Sequence, residues 1–216
     1  MAMNDVRKPP SHGVDRVDLG FGGLSASIGD HIGHLYQTQE EWRTLLVGFL
    51  AAGLQTSDNK CVYFTNGDDT RQKIEDGLAE AGVDVASMMA SGQLVLGEAS
   101  PTPEEMKDHL NQALAEVPGR YRLVRWGGDM TWALGKVATS EVLMEWETMC
   151  NVIESPQAVF LCQYDLHRFD GSVIIDALKS HPLSIVGSTI HQNQYYQDPE
   201  TFLTEIRSRP STPLTH

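Results

Sequence analysis

The chain has 216 residues, of which 41% are hydrophobic, and this is ordinary for a single folded domain with its own core. Its 29 acidic and 16 basic side chains give a formal net charge of −13, which repels a phosphate backbone. Uninterrupted apolar runs, such as residues 158–162, are far shorter than the roughly 20 residues that cross a bilayer. Composition therefore argues against direct nucleic-acid binding and against a membrane-spanning helix.

The N-terminal residues mix charged side chains with prolines and lack the apolar stretch of a secretory signal. We therefore expect a cytoplasmic protein. Three cysteines, Cys61, Cys150 and Cys162, are too few and too widely spaced for a disulfide framework, and they form no CxxC pair. We expect all three to be reduced.

The chain divides into three segments by composition. Residues 1–26 contain prolines and glycines without hydrophobic periodicity and predict a flexible lead-in, and residues 208–216 predict a flexible tail. Between them, over residues 27–207, short β-branched or aromatic runs alternate with helical patterns. This alternation is typical of βαβ units and predicts one α/β domain, with a mostly parallel central sheet flanked by helices.

Hydrophobic periodicity and capping residues place the individual elements. The predicted strands are residues 32–37, 60–65, 93–97, 121–126, 158–163 and 183–187. Capping boxes formed by Thr38 with Glu41 and by Thr102 with Glu105 mark the starts of two helices. Further helices are predicted near residues 74–81, 140–154, 171–180 and 199–208.

The junction between the first predicted strand and its helix bears on nucleotide chemistry. Nucleotide-hydrolysing domains of this layout place the motif GxxxxGK[ST] there, because its glycines and lysine bind phosphate. Here the junction reads QTQEE at residues 37–41, with no glycine and no lysine. Acidic side chains at a helix N-terminus disfavour a polyphosphate, so we expect no nucleotide hydrolysis.

In an open parallel sheet, ligands bind beyond the carboxyl ends of the strands, so the residues there are candidates for a binding site. Gly127 and Gly128 are predicted to form a tight turn that admits a ligand, with Asp129 as a polar anchor and Trp132 as an aromatic wall. The alternative is a purely structural turn with Trp132 in the core. The candidates at strand ends are Tyr36, Asp129, Met130, Trp132, Tyr164, Asp165, His167 and His191.

Histidines and cysteines are the residues to consider for a metal site or a nucleophile. His31 and His34 are three residues apart, a spacing that puts them on opposite faces of a strand, so they cannot chelate one ion together. Cys162 lies in an apolar strand, where burial raises its pKa, and we predict a core cysteine rather than a nucleophile. The sequence therefore predicts no metal, no cofactor and no catalytic residue, and it leaves His31, His34 and Cys162 as candidate ligand contacts.

Several segments resemble one known family. They are GDHIGHLY at residues 29–36, FLAAGL at 49–54, CVYFT at 61–65, GDMTWAL at 128–134, CQYD at 162–165, the pair Arg168 and Phe169, and HP at 181–182. Together they extend over about residues 29–196. They are similar to the MEDS domain, the sensory module named after methanogen and methylotroph proteins and the DcmR regulator.

The resemblance implies a RecA-like or KaiC-like sheet whose phosphate loop has degenerated, in agreement with the junction at residues 37–41. It also implies a sensor of small organic molecules, for example one-carbon or halogenated hydrocarbon derivatives. Residues that match the family segments, and are carried over as candidate ligand contacts, are His31, Tyr36, Asp129, Trp132, Tyr164 and Asp165. Gly33 departs from the pattern, because many relatives have cysteine there, and sensing through a thiol at this position is therefore not supported.

Three functions are compatible with these residues. The leading hypothesis is a sensory domain that binds a small ligand and acts in signal transduction or transcriptional control, through a homodimer or through a complex with a kinase or transcription factor. The second is an enzyme that uses Asp129, His167 or Asp165 as acid or base on a small organic substrate. The third is an interaction module with a vestigial pocket. Ligand-dependent stabilisation and catalytic turnover distinguish the three.

Overall fold

The computed structural model describes residues 16–153 and 157–214, in which strands alternate with helices. The strands are β1 (Arg16–Asp18), β2 (Ser25–Ser27), β3 (His31–Tyr36), β4 (Asn59–Thr65), β5 (Leu94–Glu98), β6 (Leu123–Asp129), β7 (Ala158–Asp165), β8 (Leu183–Val186) and β9 (Thr189–Gln192). The helices are α1 (Gln39–Leu54), α2 (Asp68–Glu80), α3 (Val85–Ala90), α4 (Pro103–Ala115), α5 (Val117–Arg120), α6 (Ser140–Met149), α7 (Gly171–Ser180) and α8 (Pro199–Arg207), with a 3-10 helix at Met130–Ala133. In the part of the chain that the structure describes, none of the helices is both long and apolar enough to cross a bilayer.

Seven strands form one sheet in the spatial order β5-β4-β6-β7-β3-β8-β9, and β1 pairs with β2 in a separate hairpin. All neighbouring strands of the large sheet are parallel except β8 and β9, which are antiparallel. Every residue of β3 is buried, as expected for a central parallel strand with helices on both faces. The predicted α/β fold with a mostly parallel central sheet is confirmed.

Each face of the sheet has its own hydrophobic core. One core, which includes Trp42 and Phe49, is formed with α1, α2 and the β1–β2 hairpin. The other core, which includes Trp126 and Trp146, is formed with α4, α6, α7 and α8. Because side chains of a strand alternate between faces, successive residues of β3 and β7 belong to different cores.

The start of α1 agrees with the sequence. The hydroxyl of Thr38 accepts a hydrogen bond from the Glu41 N–H, and the Glu41 carboxylate accepts one from the Thr38 N–H. The apolar residues that define its predicted inward face are all buried: Trp42, Leu45, Leu46, Phe49 and Leu50. Capping and periodicity are local properties, so the sequence predicts them well.

The predicted flexible lead-in is wrong for the part that the structure describes. From residue 16 onward the chain forms the β1–β2 hairpin, and Val17 is buried in the core. Gly20 lies so close to Gly48 of α1 that a β-carbon would come 2.1 Å from the Gly48 carbonyl oxygen. Strands of three residues are too short to show a period of two, so only tertiary packing reveals them. Residues 1–15 of the lead-in lie outside the described residues.

The C-terminal segment and two short elements also differ from expectation. Pro213 forms an isolated bridge with Thr139, and Leu214 is buried, so the predicted tail packs on the domain up to that residue. Residues 215–216 lie outside the described residues. Helix α3 and strand β9 have no counterpart in the sequence prediction. The helix predicted over residues 140–154 ends at Met149, and residues 154–156 are not described.

Candidate functional site

The carboxyl edge of the sheet contains a buried tyrosine–aspartate pair. Tyr36, the last residue of β3, donates a hydrogen bond of 3.3 Å to Asp129, the last residue of β6. The same carboxylate accepts a 3.0 Å hydrogen bond from the Thr131 N–H and so caps the 3-10 helix. Desolvation raises the pKa of Asp129, and the hydrogen bonds from Thr131 and Tyr36 offset part of that rise. Since Asp129 is only 6% exposed, it lies beneath the surface and does not face solvent.

Gly127 and Gly128 lie inside β6, so the predicted tight turn is wrong. A β-carbon at Gly127 would come 2.8 Å from the Leu161 carbonyl oxygen and 3.1 Å from the ring of Tyr63. At Gly128, the nearest atom would be Cβ of Phe64 at 3.6 Å, which is ordinary contact. Gly127 therefore permits close packing between strands, whereas Gly128 faces the other core, where a β-carbon would make only ordinary contacts.

Gly128 borders a narrow apolar crevice between the sheet and helices α4 and α6. The side chains around it are aromatic rings, methionines and one thiol: Phe64, Met106, Trp126, Met130, Trp132, Trp146 and Cys162. A second crevice, which extends toward Pro101 and Val142, shares Met106, Trp132 and Trp146 with the first. Each has room for at most about one water-sized molecule. A larger occupant therefore requires the shared side chains to move.

His34 lies on the α1 face, in a buried hydrogen-bond network. The Gln163 amide donates to Nδ1 of His34 at 2.9 Å and to the Trp42 carbonyl at 3.2 Å, and its oxygen accepts from the Tyr63 hydroxyl at 2.6 Å. Burial lowers the pKa of His34 to about 4, because an imidazolium would lose its hydration there. The network ties β3, β4, β7 and α1 together, and its histidine acts as an acceptor.

Four buried side chains converge on the opposite face, and we call them the His–Glu–Cys cluster: His31 from β3, Glu147 from α6, Cys162 from β7, and His181, which directly follows α7. Nε2 of His31 lies 3.1 Å from Oε2 of Glu147 and 3.4 Å from Sγ of Cys162. Nε2 of His181 lies 3.3 Å from the same Oε2. None of the four residues is more than 3% exposed. As the spacing predicts, His31 and His34 lie on opposite faces.

The electrostatics of the His–Glu–Cys cluster are set by burial and by the mutual proximity of its members. Burial raises the pKa of Glu147, but the proximity of His181 and, secondarily, of His31 outweighs it and holds that pKa below its usual range. Burial, reinforced by the charge of His181, lowers the pKa of His31 to about 4. Burial also raises the pKa of Cys162 well above its usual value, with the Glu147 charge adding to the rise. Tyr164 donates a 2.6 Å hydrogen bond to Oε1 of Glu147.

The remaining strand-end candidates are divided between core and surface. Met130 and Trp132 are buried in the 3-10 helix and line the crevice. Tyr164 and Asp165 are the last two residues of β7, whereas the sequence predicted that they come after the strand. Asp165 is partly exposed, and its carboxylate accepts a hydrogen bond from the backbone N–H of His167. His167 itself is exposed. His167 is therefore not part of the buried site.

His191 also lies away from the site, and its predicted place in a binding loop is wrong. It is an exposed residue of β9, where it pairs in register with Ser184 of β8. The chain turns back at Gly187, which has a positive φ of 61°, so β9 runs toward the opposite edge of the sheet. A four-residue exposed strand has too weak a pattern to distinguish it from a loop.

Two residues that organise the two buried networks, Glu147 and Gln163, are absent from the sequence-based candidates. Glu147 occupies the inward face of α6 four residues after Leu143, so an acidic residue at an apolar-periodic position is the available signal. Gln163 interrupts the buried part of β7, where the other side chains before Tyr164 are apolar. A polar residue in a buried run normally has a partner, but the sequence does not reveal which.

The N-terminus of α1 is occupied by a carboxylate of the chain itself. Oε2 of Glu41 accepts hydrogen bonds from the N–H groups of Gln37 at 2.7 Å and Thr38 at 3.3 Å. In a phosphate-binding loop, backbone N–H groups at this place face the phosphate. The geometry here leaves those donors already satisfied.

The parallel sheet, the helices on both faces and the self-capped α1 define a domain of the RecA-like or KaiC-like class. A solved KaiC-like protein from the hyperthermophilic archaeon Pyrococcus horikoshii OT3 has the same fold, with a TM-score of 0.56 over 80% of both chains at 13% identity. In sequence, residues 30–182 match the model of MEDS, the methanogen/methylotroph, DcmR sensory domain. The transcriptional repressor DcmR of Methylorubrum extorquens is 30% identical over an alignment of 184 residues, and the match covers 80% of this chain and 68% of the repressor. The chain belongs to the MEDS family, as its sequence segments predict.

Proposed function

We propose that this chain senses a small, uncharged organic molecule in the crevice between the sheet and helices α4 and α6. The observation that carries the proposal is the lining of that crevice: aromatic rings and methionines beside Gly128, with the Cys162 thiol as one polar group. Small-molecule sites are concave and mostly apolar, with few polar groups. Membership in a sensory-domain family and similarity to a transcriptional repressor support a regulatory role.

The chemistry of the lining limits the class of ligand. Tryptophan, phenylalanine and methionine side chains favour polarisable apolar molecules, such as one-carbon or halogenated hydrocarbon derivatives or a single aromatic ring. A charged ligand would lose its hydration without a counter-charge on the crevice wall. Met106 lines both crevices and is adaptable, because methionine is unbranched and flexible. Its displacement would join the two crevices into one larger site.

The ligand would act on contacts between helices. Met106 belongs to α4 and Trp146 to α6, and both side chains line both crevices. An occupant that separates them would change the relative position of the two helices, and a homodimer interface or a partner such as a kinase or transcription factor would detect that change. We place this activity in the cytoplasm, where the three free, buried cysteines would stay reduced.

The sensor hypothesis accounts for the geometry better than the enzyme hypothesis. Asp129 is almost fully buried, and its carboxylate is already engaged by Thr131 and Tyr36. His167 is exposed. A general acid or base must reach the substrate proton directly or through one water, and Asp129, His167 and the partly exposed Asp165 do not line either crevice.

Thermal unfolding in the presence of candidate ligands tests the proposal. Benzene, small halogenated alkanes and nucleotides would each be titrated against the purified protein, and a ligand of the native state raises Tm by an amount that grows with the logarithm of its concentration above Kd. We expect stabilisation by apolar compounds and none by nucleotides. Met106→Ala should extend binding to larger compounds, and Met89→Ala, a partly buried methionine in the other core, is the matched control.

Sedimentation velocity with and without the stabilising compound then tests the output step. A ligand-dependent change in self-association, or in binding to a co-purified regulatory partner, agrees with the proposal. Failure of all apolar compounds to raise Tm, or catalytic conversion of one of them by the wild-type chain, contradicts it.

A further inference from the structure

We propose that the His–Glu–Cys cluster, formed by His31, Glu147, Cys162 and His181, is a binding site for a divalent transition-metal ion, and that its donor set fits zinc best. Two imidazole nitrogens, one carboxylate oxygen and one sulfur are all donors that zinc accepts, in the number that completes a tetrahedral site. The inference does not depend on the proposed ligand crevice.

The distances between donor atoms are close to those of a coordination sphere. Zinc bonds of about 2.0–2.3 Å give donor-to-donor distances of roughly 3.3–3.6 Å in a tetrahedron. The Nε2 of His31 is 3.1 Å from Oε2 of Glu147 and 3.4 Å from Sγ of Cys162, and the Nε2 of His181 is 3.3 Å from that Oε2. All four atoms lie within 4.8 Å of one another. Three donor pairs therefore already have about the required spacing, and the wider pairs must close by up to about 1.5 Å to surround an ion.

The tautomer of His31 follows from its second nitrogen. Nδ1 of His31 lies 3.3 Å from Oδ1 of Asn151, and Asn151 must present its oxygen there because its amide nitrogen donates to the carbonyls of Ser180 at 2.7 Å and Glu147 at 3.3 Å. Nδ1 of His31 therefore carries the hydrogen. Its Nε2, with a lone pair, faces the centre of the cluster. Metal-bound histidines are commonly oriented in this way, through the nitrogen that does not bind the metal.

The tautomer of His181 is set in the same manner. Its Nδ1 lies 2.6 Å from the Ala177 carbonyl oxygen, which can only accept, so this nitrogen donates. The Nε2 atom faces Oε2 of Glu147, and it presents a lone pair whenever the imidazole carries only the Nδ1 hydrogen. Neither of these two buried atoms has a hydrogen-bond partner of ordinary geometry. In that tautomer two acceptors face each other out of reach of water, which is costly, and either a proton on Nε2 or a metal ion between the two atoms satisfies both.

The neighbours of Cys162 in the sheet make room for this arrangement. On either side, its register partners are glycines, Gly33 in β3 and Gly128 in β6. A β-carbon at Gly33 would come 3.0 Å from Cγ of His181, so the imidazole packs directly on that glycine. Cys162 also borders the crevice behind Gly128. An ion held by this thiolate would therefore lie next to the crevice.

Metal analysis and cobalt spectroscopy test the proposal on the full chain. Protein purified from zinc-supplied cells should contain about one zinc per chain. After removal of zinc with a chelator, cobalt(II) should give a thiolate-to-cobalt charge-transfer band in the near ultraviolet, and zinc should displace it. Added zinc should also raise the Tm of the metal-free protein.

Variants assign the donors. Cys162→Ala should abolish the cobalt charge-transfer band and weaken zinc binding by at least about 100-fold, and His181→Gln should weaken it similarly. Asn151→Ala acts through His31 and should weaken binding by about 10–100-fold while it leaves the charge-transfer band in place. Cys61→Ala, a buried cysteine on the other face of the sheet, is the matched control and should change neither measurement.

The outcomes separate cleanly. Zinc binding that is lost in Cys162→Ala and His181→Gln, with circular dichroism unchanged, supports the proposal. If either variant fails to fold, zinc affinity is measured instead for Asn151→Ala and for wild-type protein, by competition with a chromophoric chelator. The same criterion then applies to those two proteins. Wild-type protein that takes up neither zinc nor cobalt, or binds them equally well in Cys61→Ala and Cys162→Ala, overturns the proposal. No organic compound is present, so this result leaves the proposed sensory function untouched.

Discussion

Gly127 packs directly against the ring of Tyr63, and a β-carbon at the glycine would come 3.1 Å from Cδ2 of that ring. The ring cannot easily move away, because it is fully buried and its hydroxyl is hydrogen-bonded to Gln163. On the other side, the β-carbon would come 2.8 Å from the Leu161 carbonyl oxygen of β7. Gly127 thus sets the close contact between β6 and its neighbours.

Gly127→Ala is therefore expected to destabilise the domain by roughly 1–3 kcal/mol, the usual cost of overpacking a well-filled core. The adjacent change Gly128→Ala meets only ordinary contacts, with Phe64 Cβ nearest at 3.6 Å, and is expected to cost less than about 1 kcal/mol. Urea denaturation of both variants measures the difference. Equal losses would show that the two glycines have the same structural role.

Gly128→Ala should also reduce ligand binding, since its methyl group would project toward the crevice between Phe64 and Trp132. We expect the Tm shift produced by the best apolar compound to shrink or disappear in this variant. Gly97→Ala is the control, because a β-carbon at Gly97 in β5 has no neighbour closer than 3.9 Å and that glycine does not line the crevice. An unchanged Tm shift in Gly128→Ala would place the ligand elsewhere.

Asp129→Asn removes a buried charge and retains an oxygen that can accept from Thr131 and Tyr36. Because desolvation raises the pKa of Asp129, the folded state disfavours its ionised form, and stability is lost as pH rises above the ordinary value of 3.8. We therefore expect Asp129→Asn to be more stable relative to wild type at pH 7 than at pH 4. Denaturant titrations at the two pH values test this. The opposite order would mean that the carboxylate is stabilised by its environment.

His34→Gln tests the network on the α1 face. Burial lowers the pKa of His34 from 6.5 to about 4. As the pH falls from 6.5 toward 4, His34 binds a proton in the unfolded chain but not in the folded chain. The folded state therefore loses stability over this range. This loss amounts to at most about 3 kcal/mol. Glutamine keeps an acceptor for the Gln163 amide but does not titrate, so the variant should lose less stability than wild type between pH 7 and pH 4.5. Parallel pH profiles for the two proteins would contradict the assignment.

The protein should not hydrolyse ATP or GTP, because the N–H groups of Gln37 and Thr38 just before α1 are bound by Glu41 and the junction has no lysine or glycine for phosphate. Phosphate release should match a control without protein. Glu41→Ala should cost about 0.5–2 kcal/mol of stability through loss of the cap, and it should not create hydrolysis. Magnesium-dependent hydrolysis that persists through repurification and is abolished by a substitution in this chain would contradict the prediction.

The positions of individual helices and strands could be predicted from the sequence. The helix that follows Thr38 and the apolar run in β7 have patterns that depend only on neighbouring residues, and both occur close to where they are predicted. The segments that resemble the MEDS family predicted the fold class, and the observed strand order confirms it. The opposite faces of His31 and His34 follow from the period of two in a strand.

Convergence of distant residues was decided by the tertiary structure alone. Glu147 and His181 are 34 positions apart, yet their side chains meet at 3.3 Å because α6 and the end of α7 cover the same face of the sheet. Periodicity states that Glu147 faces inward, but it carries no information about which strand or helix lies opposite. The same limit applies to Gly127. A side chain is excluded at this position because the ring of a tyrosine from β4 lies against it, and the sequence does not show that contact. Sequence by itself determined the elements and their faces, and only the packing of the strands in the order β4-β6-β7-β3 decided which buried polar groups share a site.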